Sequence, residues 1–102
     1  MKVRFISEKD QIFYEDAKSL KKKFGKRMAE KIVQRIDDLL AATTPQQLPQ
    51  SARWHEHQGT RSGLYSLDLV HPFRLIVRSA DEVESYVEIT EVEIFEVFNS
   101  HK

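Results

Sequence analysis

The residues of this chain best suited to chemistry begin at Trp54-His55-Glu56-His57. Two histidines two apart share one side of a strand, so His-x-His can offer two imidazoles to a metal ion. Further ligands would have to come from elsewhere, such as Glu88 or His71. A second constellation is cationic. Arg53, His55, His57, Arg61, Arg74 and Arg78 are the basic side chains between Arg35 and His101 apart from His71. On adjacent strands such groups can surround one phosphate. Cleavage of RNA without a metal needs a base for the 2′-hydroxyl proton, cations for the charged transition state and an acid for the leaving 5′-oxygen. Histidine suits either proton role near neutral pH, and arginine suits the phosphate. The plainer alternative is that these arginines are strand-surface charges paired with nearby acids.

The elements that must position these residues follow from periodicity. Lys2 to Ile6 alternates and reads as a short strand. Ser7 can cap a helix over Glu8–Phe24, with Asp10 three residues on. Phe13, Ala17, Leu20 and Phe24 share its apolar face. Lys21-Lys22-Lys23 suits the negative end of the helix dipole, and Gly25 suits its C-cap. A second helix follows from Lys26 to Ala42 with the stripe Met28, Ile32, Ile36, Leu39 and Leu40; Lys31, Arg35 and Asp38 lie outside that stripe. One glycine between the helices implies an antiparallel hairpin.

Two prolines make 43–50 a loop. The remainder reads as β: a strand over Ala52–Glu56, a polar turn at Gly59–Gly63, and alternation over Leu64–Val70 with Tyr65, Leu67 and Leu69 on one side. After the His71-Pro72 turn, Phe73, Leu75 and Val77 alternate with Arg74, Ile76 and Arg78. An acidic turn follows at Ser79–Ser85. The last strand starts at Tyr86 and runs to Phe95 or beyond. Its apolar parity slips between Val87/Ile89 and Val92/Ile94, so a bulge is expected near Thr90–Glu91. The order β-α-α-β-β-β-β predicts one α+β domain over 1–102, its helical hairpin on one face of an antiparallel sheet and the other face partly open.

Composition narrows the functional class. With 102 residues and no cysteine, the chain offers one modest core, no disulfide and no thiolate site. Neither a signal peptide nor an apolar run long enough for a membrane span is found, which implies a cytoplasmic protein with no membrane partner. No phosphate loop, dinucleotide fingerprint or nucleophile elbow is present, and no cofactor is implied. The zero net charge hides an asymmetry. Residues 1–78 hold fifteen of the sixteen Lys/Arg and nine of the sixteen Asp/Glu, a balance of +6, and residues 79–102 balance it at −6. A basic front is what a nucleic-acid binder usually shows.

Several stretches together carry a family likeness. Arg53 to Leu69 places a histidine before a turn with Gly59 and Arg61 and then a strand. His71-Pro72-Phe73-Arg74-Leu75-Ile76-Val77 gives the next strand a central arginine. Tyr14 to Leu40, with Lys23-Phe24-Gly25 and Ile36-Asp37-Asp38-Leu39, forms the hairpin, and Ile89 to Ile94 the ending. In this order and spacing the chain resembles the HigB-like toxins (plasmid-maintenance killer proteins) of the RelE/ParE superfamily over nearly its whole length. The resemblance implies a RelE-like fold and the toxin of a type II toxin–antitoxin system. Such a toxin is a ribosome-dependent, metal-independent mRNA endoribonuclease that inhibits translation. Its implied partners are a HigA-like helix-turn-helix antitoxin, the ribosome and mRNA, with operator DNA reached only through the toxin–antitoxin complex.

By the same resemblance His55, Arg61, Arg74 and His101 match the catalytic positions. Arg53, His57, Gln58, Arg78, Phe98 and Asn99 would contact substrate. Gln58 stands where these toxins commonly carry lysine, and Asn99-Ser100 where they carry Asp-Tyr. Asparagine is neither acid nor base, and serine has no face to stack on a nucleobase; Phe98 is the aromatic at hand. Two further readings therefore stand beside the nuclease: a silent homologue that binds antitoxin and regulates the operon, and a ParE-like gyrase inhibitor.

Overall fold

Alternating residues in two strands set the architecture. In β3 (Leu64–Asp68) and β4 (Phe73–Ser79), the antiparallel register pairs Tyr65 with Val77 and Leu67 with Leu75 on one face, and Ser66 with Ile76 and Asp68 with Arg74 on the other. The first face is covered by helices and the second carries the site. The computed structural model describes residues 1–56, 63–80 and 88–100. Within these it runs β1 (Lys2–Phe5), α1 (Glu8–Glu15), α2 (Ala17–Phe24), α3 (Lys26–Ala41), two short 3-10 turns at Pro45–Gln47 and Gln50–Ala52, β2 (His55–Glu56), β3, β4 and β5 (Glu91–Asn99). The strands form one sheet in the order β1-β5-β4-β3-β2. Pairing is antiparallel from β2 through β5, and β1 joins β5 in parallel. The fold is α+β, as the element order implied. No helix among the described residues is long and apolar enough to cross a membrane.

The core lies between the helices and the covered face. Leu20, Ile32 and Leu39 from the helices meet Leu67, Leu75, Val77, Val92 and Ile94 from the sheet, each with no exposed surface. Truncating any of the large aliphatic ones to alanine costs about 2–5 kcal/mol, because the lost transfer energy adds to the cavity left behind. Phe5 stacks on Tyr14, and Phe13 meets Tyr14 edge-on. Burial, with Asp10 and Glu96 adding to it, pushes the Tyr14 hydroxyl up to about 12, so this residue stays neutral in the core.

Besides the parallel pairing of β1 in a sheet expected to be antiparallel, four features of the chain differ from the sequence expectation. The helix over 8–24 is two helices. Asp16 is extended (φ −105°, ψ 105°), and its carboxylate accepts from the Lys18 amide and the Ser19 hydroxyl, making it the N-cap of α2. These bonds hold its carboxyl below the ordinary aspartate value, the Ser19 contact foremost. Arg35, expected outside the α3 stripe, is 2% exposed, whereas Leu40, expected within it, is 56% exposed. The strand before the turn starts at His55 rather than Ala52, because Gln50–Ala52 closes into a 3-10 turn; it covers His55–Glu56 among the described residues.

The last discrepancy is the bulge. It is not at Thr90–Glu91: β5 begins at Glu91, and its register shifts where Ile76 opposes Glu96 and Val77 opposes Ile94. Phe95 is therefore the extra residue. Ile89 is buried without belonging to the strand, which explains the parity slip seen in the sequence. The turn expected at Gly59–Gly63 and the acidic turn fall largely outside the described residues.

Candidate functional site

The site is built where β2, β3 and β4 present one side chain each to the face away from the helices. After the 3-10 turn, Arg53 adopts a left-handed backbone (φ 48°, ψ 56°) and leads the chain into β2. This conformation costs a non-glycine residue roughly 1–2 kcal/mol. His55 Nδ1 lies 2.7 Å from the Arg53 carbonyl oxygen. His55 is cross-strand from Ser66, whose hydroxyl is 2.8 Å from His55 Nε2. Arg74 Nη1 stands 2.6 Å from the same nitrogen.

Hydrogen-bond roles settle the tautomer. A carbonyl only accepts, so Nδ1 carries the proton. A guanidinium only donates, so Nε2 presents its lone pair. Both constraints give the same neutral imidazole, with its basic nitrogen turned towards Arg74 and Ser66 and its other nitrogen held by the backbone. This is the arrangement of a positioned general base. Ser66 has no exposed surface, so it is an orienting hydroxyl inside the sheet.

The open-face arginines divide into two kinds. Arg53 pairs with Asp68 at 3.5 Å, and Arg78 pairs with Glu93. Their side chains are 68% and 53% exposed, so each pair is worth at most about 1 kcal/mol and is readily given up. Arg74 has Asp68 as its register partner, yet among the described residues it makes no ion pair and points its guanidinium at His55. The reading of these arginines as paired surface charges therefore holds for Arg53 and Arg78 and fails for Arg74. Across the next strand Phe98 is the register partner of Arg74, on the same face. Asn99 pairs with Phe73, in the row that faces the helices, so β5 sets Phe98 and not Asn99 beside the cluster.

The structure thus brings together His55 and Arg74, with Arg53 and Phe98 adjacent and Arg78 further along β4. His57, Gln58, Arg61 and His101 lie outside the described residues. No group of three His, Asp or Glu side chains placed to hold a metal ion occurs among the described residues. His71 is exposed on the β3–β4 turn, away from His55 on the sequence and in the sheet.

Two residues were missed by sequence reasoning. Ser66 carried a signal in retrospect, as the one hydroxyl of β3 in outward phase, with Leu64 and Asp68. Arg35 is the other. Its Nε donates to the Asp68 carbonyl at 2.7 Å, Nη2 to the Ser51 carbonyl at 2.9 Å, and Nη1 pairs with Asp38 at 3.0 Å. It fixes the end of β3 and the 3-10 turn that delivers Arg53 and His55. Trp54 stacks on Tyr65 (4.6 Å between centroids, 17° between planes) on the far side of the same strands. Burial first, then the Glu56 carboxylate, raises the Tyr65 hydroxyl above its ordinary value. Trp54 Nε1 is buried without a hydrogen-bond partner among the described residues.

No protein-family model matches the chain, and no curated protein matches it.

Proposed function

We propose that the chain is the toxin of a type II toxin–antitoxin system and acts as a metal-independent, ribosome-dependent mRNA endoribonuclease. One observation carries this reading: Arg74, alone among the sheet arginines discussed above, has no carboxylate partner among the described residues and stands against the lone pair of a histidine whose other nitrogen is fixed by backbone. A base and a cation on one atom's span are what 2′-hydroxyl attack on a phosphodiester requires. The likeness of the whole chain to HigB-like toxins adds the biological setting.

In this mechanism Arg74 and Ser66 yield the His55 Nε2 lone pair to the substrate, and Nε2 takes the 2′-hydroxyl proton. Arg74 turns further N–H groups to the non-bridging phosphate oxygens, where charge accumulates. Arg53 and Arg78, both exposed, exchange their carboxylate partners for neighbouring phosphates, and Phe98 offers a face for a base. Arg61 and His101 are assigned by resemblance to phosphate binding and leaving-group protonation. A HigA-like antitoxin neutralises the protein, and the pair together binds operator DNA.

A second reading is favoured by a separate observation. Asn99 is not an acid and stands in the helix-facing row, so the position of the acidic residue in the toxin ending offers no acid to the site. A silent homologue that binds antitoxin and tunes operon repression would tolerate this. Induced expression without antitoxin, with primer extension on translated mRNA, separates the two. The nuclease reading expects growth arrest and new 5′ ends within codons at the ribosomal A site. Normal growth with intact mRNA supports the silent reading, and arrest with broken chromosomal DNA points to a gyrase inhibitor.

A further inference from the structure

The turn joining α2 to α3 concentrates charge that neither the core nor the site uses. Lys21, Lys22, Lys23, Lys26 and Arg27 fall within seven residues and all are exposed. Among the described residues none of them is ion-paired with a carboxylate. The dipole of α2 favours the first three, which lie in its last turn. It does not explain Lys26 and Arg27. They open α3, at the positive end of its dipole and with no acid in its first turn, where cations are disfavoured. The helix dipoles therefore do not account for these two cations.

Position ties the ridge to the site. Lys23, Lys26 and Arg27 border a recess closed on its other side by Val70, His71 and Phe73 of the β3–β4 turn. Phe73 opens β4, and the next residue is Arg74, on the opposite face. The same end of the sheet carries Phe98 and Asn99. A chain of phosphates passing over the His71–Pro72 turn meets the ridge on one side and Arg74 on the other.

We propose that this ridge is a sequence-independent docking surface for the phosphate backbone of structured RNA, continuous around the turn with the His55–Arg74 site. It rests on reading that site as an RNA site. Two protein occupants fit less well. Protein interfaces are depleted of lysine at their centre and anchored by apolar or aromatic groups. Among the described residues the exposed large apolar side chains are Ile6, Ile12, Val33 and Leu40, and none lies in the ridge. Lys23 covers the Phe13 and Phe24 rings with its ammonium, at 5.2 and 5.6 Å from their centroids, and so screens the aromatics nearest the turn.

The test uses the full chain and a fluorescent 2′-O-methylated RNA hairpin of mixed sequence, which binds but has no 2′-hydroxyl to attack. Anisotropy gives the affinity across a salt series for wild type and for Lys21→Gln/Lys22→Gln/Lys26→Gln. Removing three contacts should flatten the logarithmic salt slope by about 2 to 3, at roughly 0.7–0.9 per phosphate. His55→Ala should keep the wild-type slope while losing cleavage of unmodified mRNA, so the ridge and the site fail separately. Should the triple variant melt early, Lys22→Gln/Arg27→Gln is read instead, with a loss of about 1.5 to 2 expected. An unchanged slope overturns the proposal. So does equal displacement of the hairpin by poly-glutamate at matched charge, which would assign the ridge to an acidic protein. Salt-sensitive self-association that disappears in the triple variant, without RNA binding, would assign it to the acidic stretch of a second copy.

Discussion

Two arginines, Arg35 under the helices and Arg74 on the opposite face of the sheet, show how one set of strands serves two purposes. Arg35 is 2% exposed, and all three of its bonds end on acceptors of the protein itself: two backbone carbonyls and Asp38. Nothing remains for a ligand. Arg74 is half-buried, and one nitrogen touches His55 while no carboxylate neutralises it among the described residues. A buried charge whose three nitrogens all bond within the protein is a clamp. A partly buried charge whose partner is a neutral base is held ready for an anion. The comparison separates architecture from function more sharply than burial alone.

The largest effect should come from breaking the clamp. Arg35→Ala leaves the Asp68 and Ser51 carbonyls without their donor and Asp38 without its cation, which should cost about 3–5 kcal/mol. Against the 5–15 kcal/mol of a typical domain, that approaches unfolding at 37 °C. Arg35→Lys should recover little, because a single ammonium cannot reach three acceptors set around a planar fork. Thermal melts decide this, and a wild-type Tm for Arg35→Ala would make the clamp ornamental. Arg74→Ala should do the reverse. It leaves the melt unchanged and lowers cleavage about ten- to a hundredfold, for the loss of about 1.5–3 kcal/mol of charge-assisted bonding. If the melt collapses instead, Arg74 belongs with Arg35.

Smaller changes sharpen the contrast. Ser66→Ala removes one hydrogen bond on His55 Nε2, worth about 1 kcal/mol, so cleavage should fall by roughly fivefold while Arg74 still holds the ring. Single-turnover rates on the ribosome would measure it. Arg78→Ala breaks an exposed pair and should leave stability within about 1 kcal/mol of wild type, which a denaturant titration checks. The smallest effect belongs to the Asp16 cap. Its carboxyl is held below the ordinary 3.8, so its contribution is fully present above that pH and fades as pH falls through the depressed value. Asp16→Asn should therefore narrow the difference in Tm from wild type as the pH drops below about 4.

The faces of β3 and β4 were legible from alternation alone, whereas His55 and Arg74 were joined only as two of several open-face cations and by the family likeness. Arg35 was readable too. Met28, Ile32, Arg35 and Leu39 recur at spacings of four, three and four, which puts the arginine in the middle of the apolar stripe. Charge counted against burial there, and the carbonyls that satisfy it are remote in sequence. The break at Asp16 was masked because Phe13 and Leu20 keep the helical phase across it, although Asp16 and Ser19 have capping spacing. Parallel pairing of β1 with β5 had no local signal, since the residues concerned lie about ninety positions apart. The bulge was inferred from a real slip in parity, but Ile89 is buried from outside the strand and the extra residue is Phe95. Ser66 was passed over because one hydroxyl within a strand is ordinary until its cross-strand neighbour is known.

The central claim is that His55 is the positioned base of an RNA-cleaving site. Its most direct test is cleavage of translating mRNA in a purified translation system by wild type and His55→Ala, with melts recorded beside it. The account predicts A-site cleavage by wild type and a loss of about 10²–10⁴ in rate for His55→Ala at an unchanged Tm, the usual range for removing a general base. Undiminished cleavage by a folded His55→Ala protein would contradict it.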